Sequence, residues 1–297
     1  MRILLTGQNG QVGWELARSL LPLGSVITLD RHQLDMMHPE TCRAIIQQHK
    51  PEVIVNAAAY TNVDLAEDEI ELANTINATA PGILAEEARK ANALMIHFST
   101  DYVFDGTKPT AYVEDDETNP INAYGRSKLS GEQAIQKTGA DHLIFRTSWV
   151  YSARRTNFLL SMLKLMKTRE TLRIVNDQTG APTWSRSIAD ITAHVIKQAW
   201  TERNQGRFKS GIFNLSGSGN TTWYEFAKRI AELAKADAQF KQSLMIRSIE
   251  PITTAEYPSK AKRPLNSKMS HEKIVNRFNV VMPDWQECLR LCMQDVV

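Results

Sequence analysis

Residues 2 to 13 read Arg2-Ile3-Leu4-Leu5-Thr6-Gly7-Gln8-Asn9-Gly10-Gln11-Val12-Gly13, and the fold follows from their order. The apolar run suits a buried parallel strand, and Gly7, Gly10 and Gly13 then follow at three-residue intervals. From Trp14 to Leu21 the spacing turns helical, until Pro22 and Gly24 stop it. Strand, glycine turn and helix in that order make a pyrophosphate cradle. Glycines let the backbone approach the phosphates, and a helix N-terminus offers unpaired amides and the positive end of its dipole. The spacing is Gly-x-x-Gly-x-x-Gly, not Gly-x-Gly-x-x-Gly. A glycine-rich hairpin is the plainer reading, and the helical pattern after Gly13 argues against it.

Working outward, Val26 to Asp30 is a second strand that ends in a carboxylate placed to meet the ribose hydroxyls of an adenosine. Asp30 also suits a turn or a helix cap. Arg31 follows at once and would suit a 2′-phosphate, so NADH and NADPH both stay open. A helix is expected from Pro39 to Lys50, a strand over Val53 to Ala59, and one or two helices from Ala66 to Asn92, broken near Ala80-Pro81. Further strands fit Leu94 to Thr100 and His142 to Val150. Strands separated by helical crossovers imply an α/β, Rossmann-type, doubly wound parallel sheet. Residues 1–150 form the dinucleotide-binding domain, completed by parts of 172–216, and 151–297 form mainly a smaller α/β substrate domain. In that second half helices fit Thr156 to Thr168, Ser185 to Trp200 and Thr222 to Ala236, with short strands over Leu172 to Asn176, Gly211 to Leu215 and Leu244 to Ile249.

The whole chain narrows the function class. Its 297 residues carry 35 basic and 33 acidic side chains, a net charge of +2, which gives no global field for nucleic acid or a membrane surface. No apolar run approaches the roughly 18 residues that span a bilayer. The three cysteines, Cys42, Cys288 and Cys292, lack zinc spacing and suit a reducing compartment, so the cytoplasm is expected. The histidines show no metal-ligand spacing, no metal site is expected, and no Gly-x-Ser-x-Gly elbow is present.

Tyr124-Gly125-Arg126-Ser127-Lys128 sets a phenol and an ammonium four apart, on one face of a helix. A free phenol titrates near pH 10, and a neighbouring cation favours phenolate, so the pair is a proton donor made usable near neutrality. Ser99-Thr100-Asp101-Tyr102-Val103-Phe104 ends the fourth strand and brings the Thr100 hydroxyl to the same oxygen of a substrate. A hydride carrier on the glycine turn with such an acid makes a ketone reductase. Asp101 either caps a turn or tunes the acid and contacts substrate. Trp149 either packs in the core or stacks on a sugar or base at the strand end.

Gly7/Gly10/Gly13, Asn56-Ala57-Ala58-Ala59, the Ser99–Phe104 run and Tyr124-x-x-x-Lys128 resemble the extended short-chain dehydrogenase/reductases. Phe145 to Tyr151, Asn176 to Thr183 and Arg263-Pro264-Leu265-Asn266-Ser267 narrow the resemblance to the dTDP-4-dehydrorhamnose reductase family, over Met1 to about Trp285. That resemblance implies reduction of the C4 ketone of dTDP-4-dehydro-L-rhamnose by NADPH or NADH, for surface polysaccharides such as lipopolysaccharide. It implies Thr100, Tyr124 and Lys128 as the catalytic set. Gly10, Gln11 and Val12 would hold the pyrophosphate, Asp30 the ribose, and Asp35 and Met36 the adenine. Ala59, Tyr60 and Thr61 would run along the cofactor with Phe98 near the nicotinamide, and Asp101 and Trp149 would touch the deoxysugar. Some members are dimers bridged by Mg²⁺ through acids. Here Arg186 stands near that place with Asp190 the nearest acid, and a cation there repels Mg²⁺. Monomer and homodimer both stay open.

Related enzymes supply two alternatives. A dehydratase would carry glutamate where this chain has Tyr102, and a 4-epimerase departs from Val103-Phe104-Asp105-Gly106. A non-catalytic dinucleotide-binding regulatory subunit would keep the fold without needing Thr100, Tyr124 and Lys128.

Overall fold

The computed structural model describes residues 1–296. Its first half alternates β1 (Arg2–Thr6), α1 (Gln11–Ser19), β2 (Ser25–Leu29), α2 (Thr41–His49), β3 (Val53–Asn56), α3 (Ile70–Asn74), α4 (Ala80–Lys90), β4 (Leu94–Thr100), α5 (Ala123–Thr138) and β5 (His142–Thr147). The second half runs β6 (Val150–Tyr151), α6 (Phe158–Met166), β7 (Thr171–Val175), β8 (Thr179–Gly180), β9 (Thr183–Trp184), α7 (Ser185–Asn204) and β10 (Gly211–Asn214). It closes with β11 (Thr221–Thr222), α8 (Trp223–Ala236), α9 (Ala238–Lys241), β12 (Ser248–Ile252), α10 (Glu272–Phe278) and α11 (Trp285–Gln294).

Six strands form a wholly parallel sheet in the order β10-β5-β4-β3-β1-β2. The winding reverses between β1 and β3, and at such a switch point the strand ends diverge and leave a crevice for a ligand. Both faces are covered, which is why these strands read as continuous apolar runs. Ile3 and Leu5 face one layer with Leu16 of α1, its C-cap Leu20, and Ile188 and Ile196 of α7. Leu4 faces the other, with Ile46 of α2, Leu84 of α4 and Ile135 of α5. A third cluster joins α6, α8 and α11 through Leu159, Phe226 and Leu289. The fold class expected from the sequence is the one observed.

Three local expectations change. The helices around Ala80-Pro81 are not broken but joined by a π-helical turn, Thr75–Thr79. Pro81 has no amide to donate, and the widened turn absorbs that loss. The Asn77 carbonyl exposed there packs on α5, where a Cβ on Gly131 would stand 2.0 Å from it. The strand expected over Leu244 to Ile249 lies at Ser248–Ile252, pairs only with β7, and tolerates Pro251 on a free edge. The run from His142 to Val150 splits at Ser148-Trp149, because Trp149 is left-handed with φ of 47°.

Candidate active site

At the glycine turn, conformation and space both demand glycine. Gly7 has φ of 72°, and a Cβ on it would meet the Ala57 carbonyl carbon at 2.6 Å. A Cβ on Gly13 would stand 2.1 Å from the Gly7 oxygen, so the helix can leave the turn this tightly only without a side chain there. Gly10 is the N-cap of α1. It supplies no side-chain cap, and the first turn holds no acid. The leading amides are left for an anion, which is the cradle a dinucleotide pyrophosphate fits.

A strap from the second half closes over this turn. Arg155 Nε donates to the Asn9 oxygen at 2.7 Å, and Gln11 Oε1 accepts from Ser152 Oγ at 2.8 Å and Asn157 Nδ2 at 3.0 Å. The Gln11 side chain is thereby engaged, leaving its backbone to a phosphate. Val12 packs on the core and does not point into the crevice.

At the adenosine end, Asp30 Oδ1 accepts from the amides of His32 and Gln33, so the turn role read in the sequence is present. Only its other oxygen is free for a ribose. Asp35 Oδ1 accepts from the Met37 amide, and that bond holds its carboxyl below the usual range. Met36 is buried with Leu34 in the sheet core. Ala59 and Thr61 are exposed on a ledge with Tyr60. Tyr60 OH donates to Glu69, and the Tyr60 backbone is clamped by Asn77.

The Ser99–Phe104 run and α5 meet at the C-terminal end of β4. Asn122 caps α5 by accepting from the Gly125 amide at 2.7 Å. A Cβ on Gly125 would lie 2.2 Å from the Tyr102 oxygen, so the helix start rests directly on the 101–103 turn. This contact sets Tyr124 beside the Thr100 hydroxyl, with the Tyr102 ring edge-on at 5.9 Å. Burial pushes the Tyr124 phenol up, and the Thr100 hydroxyl opposes this. Tyr124 is therefore a protonated phenol. That differs from the activated phenol expected from spacing alone.

Lys128 does not offset that burial. It is 1% exposed, and its Nζ donates to the Phe98 oxygen at 2.5 Å and lies 3.3 Å from His97 Nε2. No hydrogen bond joins it to Tyr124. Burial pulls its ammonium down to about 8. Thr100 Oγ1 donates to Asp101 Oδ1, and Asp101 Oδ2 has no partner. Burial pushes that carboxyl up to about 6.

Beyond the end of β5 the surroundings are aromatic. Trp149 stacks on Trp223 at 3.6 Å, and Gly180 has no room for a Cβ against the Trp149 ring. Trp223 then borders a cleft of about 870 Å³ lined by Phe158, Tyr257, Arg169, Arg173 and Arg263. Arg263 also binds Asp64 at 2.7 Å, and its charge faces the Tyr102 hydroxyl, so the cleft adjoins the Tyr124 region. Spacing had not singled out His97, Asn56, Asn77, Trp223 or Arg263 as site groups. For His97 a signal existed, as a polar residue inside an apolar strand.

The acids near the place of the Mg²⁺ bridge already hold a cation. Arg186 lies 4.0 Å from Glu15 and 3.3 Å from Asp295, while Asp190 accepts from Ser19 Oγ. Among the described residues no group of three acidic, histidine or cysteine ligands could hold a metal. Glu15 also faces Asp190 and Asp295, so within one chain Arg186 is the cation that these acids meet. No helix among them is long and apolar enough to cross a membrane.

Comparison with known proteins places the whole chain in one family. The RmlD substrate binding domain family matches residues 1–297. A dTDP-4-dehydrorhamnose reductase of Burkholderia thailandensis is 50% identical over 297 residues, covering 100% of this chain and 99% of the relative. The crystal structure of a dTDP-4-dehydrorhamnose reductase from Clostridium acetobutylicum superposes with a TM-score of 0.89 at 34% identity, covering 100% of this chain and 99% of that one. One from Bacillus anthracis in complex with NADP gives 0.87 at 32% identity, with 99% of both chains covered.

Proposed function

Because the chain belongs to the dTDP-4-dehydrorhamnose reductase family, we propose that it reduces the C4 ketone of dTDP-4-dehydro-L-rhamnose, with Tyr124 as proton donor. It is an NAD(P)H-dependent oxidoreductase of rhamnose biosynthesis. The observation that carries the residue assignment is the convergence of Thr100, Tyr124 and Lys128 at the end of β4, beside an uncapped helix N-terminus at the switch point. When bound, the nicotinamide supplies the hydride.

The remaining work falls to side chains. Gly7, Gly10 and Gly13 let the backbone of Gln11 and Val12 bind the pyrophosphate, Asp30 takes the ribose through its free oxygen, and Asp35 and the backbone of Met36, whose side chain is in the core, border the adenine. Ala59, Tyr60 and Thr61 form the ledge, and Phe98 backs the nicotinamide. Thr100 orients the ketone, and Tyr124 holds a proton at its phenol oxygen until the C4 oxygen becomes basic. The proton then moves to that oxygen, and Lys128 supplies the charge that stabilises the phenolate left behind. Asp101 and Trp149 position the deoxysugar. The cleft beside Trp223 takes the nucleotide, with Arg169, Arg173 and Arg263 suited to a diphosphate. Residues 1–150 with β10 and α7 thus carry the cofactor, and most of 151–297 the nucleotide sugar, in the cytoplasm.

The test is turnover of the dTDP-4-keto sugar. Tyr124→Phe is expected to lower kcat by about 100-fold to 10,000-fold, the range for loss of a general acid, with cofactor affinity nearly unchanged. Wild-type rates in that variant would place the acid elsewhere, and cofactor binding without any turnover by the wild-type chain would make it a regulatory subunit.

A further inference from the structure

Thr6, Asn56 and His97 occupy one register row across β1, β3 and β4. Each is 0–1% exposed, and Lys128 caps the row from α5. Hydrogen bonds give the row a direction. The Ala58 amide can only donate, and it faces Asn56 Oδ1 at 3.3 Å, where Thr6 Oγ1 also donates at 2.7 Å. The Asn56 amide is thereby oriented, and its Nδ2 donates to His97 Nδ1 at 3.1 Å. A neutral imidazole accepting at Nδ1 carries its proton on Nε2, and Nε2 faces Lys128 Nζ at 3.3 Å.

We propose that His97 is a positioning residue for the reduction, whose Nε2–H, fixed by the Thr6–Asn56 row, disfavours the ammonium form of Lys128 and so sets the pH above which that lysine no longer supplies its charge to the Tyr124 phenolate. An N–H aimed at an ammonium is repelled, whereas the lone pair of a neutral amine accepts it. One carboxylate acts the other way, because the charge of Glu132 favours the ammonium, but it makes no hydrogen bond to Lys128. Glu132, one turn along α5, is held by Arg146 of β5 at 2.8 Å. Asp101 is bonded to Thr100, Tyr124 is a neutral phenol, and β1 and β3 contribute only Thr6 and Asn56 to the row. Burial and Lys128 also hold the imidazole well below its usual titration range, in keeping with a neutral ring. The inference rests on the reading that Lys128 serves the reduction.

Two measurements test it. In His97→Gln a side-chain amide reaches the same place but can rotate its oxygen toward Lys128 and accept from the ammonium. The alkaline limb of kcat for the dTDP-4-keto sugar should then move up by about 1 pH unit, while the Tm and the KM for cofactor stay near wild type. An unmoved limb in a folded, active variant overturns the proposal. Independently of turnover, ¹⁵N resonances of the wild-type imidazole, assigned through the backbone of β4, should show the Nε2–H tautomer from about pH 6 to about pH 9. An Nδ1–H tautomer or a charged ring overturns it even if the variant does not fold. A chain without turnover that still shows the Nε2–H tautomer would sink the reductase reading and leave the row standing.

Discussion

Two buried cations meet helix α5 one turn apart, Lys128 from within it and Arg146 at Glu132, and they are treated differently. Arg146 is 2% exposed and makes a two-pronged bond to Glu132, at 3.0 Å and 2.8 Å, with the Glu114 carbonyl as a third acceptor. Lys128, one turn before Glu132, is as deeply buried and has only a carbonyl and an imidazole. The planar guanidinium with a carboxylate is a closed arrangement, neutral overall, that ties β5 to α5. The lysine has no carboxylate bonded to it, and a buried group so placed changes charge easily. Buried charge in this protein therefore serves structure where it is paired, and the open lysine is the one to which the proposed reduction assigns a chemical role.

Breaking the closed pair should have the larger effect. Glu132→Gln leaves Arg146 charged and unpaired, and a loss of about 3 to 5 kcal/mol is expected in urea unfolding at neutral pH. A loss below about 1 kcal/mol would show that water reaches the guanidinium. Lys128→Met should cost less than about 1 kcal/mol, because removing an uncompensated charge offsets two lost hydrogen bonds. Its turnover should nonetheless fall at least about 100-fold. Comparable destabilisation by the two substitutions would erase the distinction.

The smallest effect is a pH dependence that belongs to the open site alone. The folded chain holds the Lys128 proton only up to about pH 8, against an ordinary lysine value of 10.5. Between those values the unfolded chain binds a proton that the folded chain does not, so this group adds stability as pH rises through that window and nothing below it. Other buried groups titrate there too. The measurement is therefore the difference between wild type and Lys128→Met, which should shift in favour of wild type from pH 8 to 10.5 and stay flat below. A flat difference throughout would mean that Lys128 is solvated.

Much of this was legible beforehand. Leu4, Ile54 and Met95 read as sheet core, and the glycines after Thr6 read as a turn under a helix, because strand and helix periods are written in consecutive residues. Tyr124 and Lys128 were legible as a pair for the same reason. Spacing did not reveal that Lys128 turns back toward His97 and Phe98, or that Tyr124 stays protonated. It also could not show Met36 in the core, with Asp30 already holding a turn. Pro81 looked like a break because a proline forbids one hydrogen bond, yet the π-helical turn needs none at that point.

By itself the sequence determined a parallel α/β fold, a backbone cradle for a dinucleotide, and the side chains available for proton transfer. Each depends on residues within a turn or a strand of one another. Only the tertiary structure decided which of those side chains is charged. That depends on partners such as Asn56 for His97, 41 positions away, and Glu132 for Arg146 across a helix and a strand. Burial removes the water that would otherwise level these differences, so the proton affinity of each group is set by the few atoms that replace it.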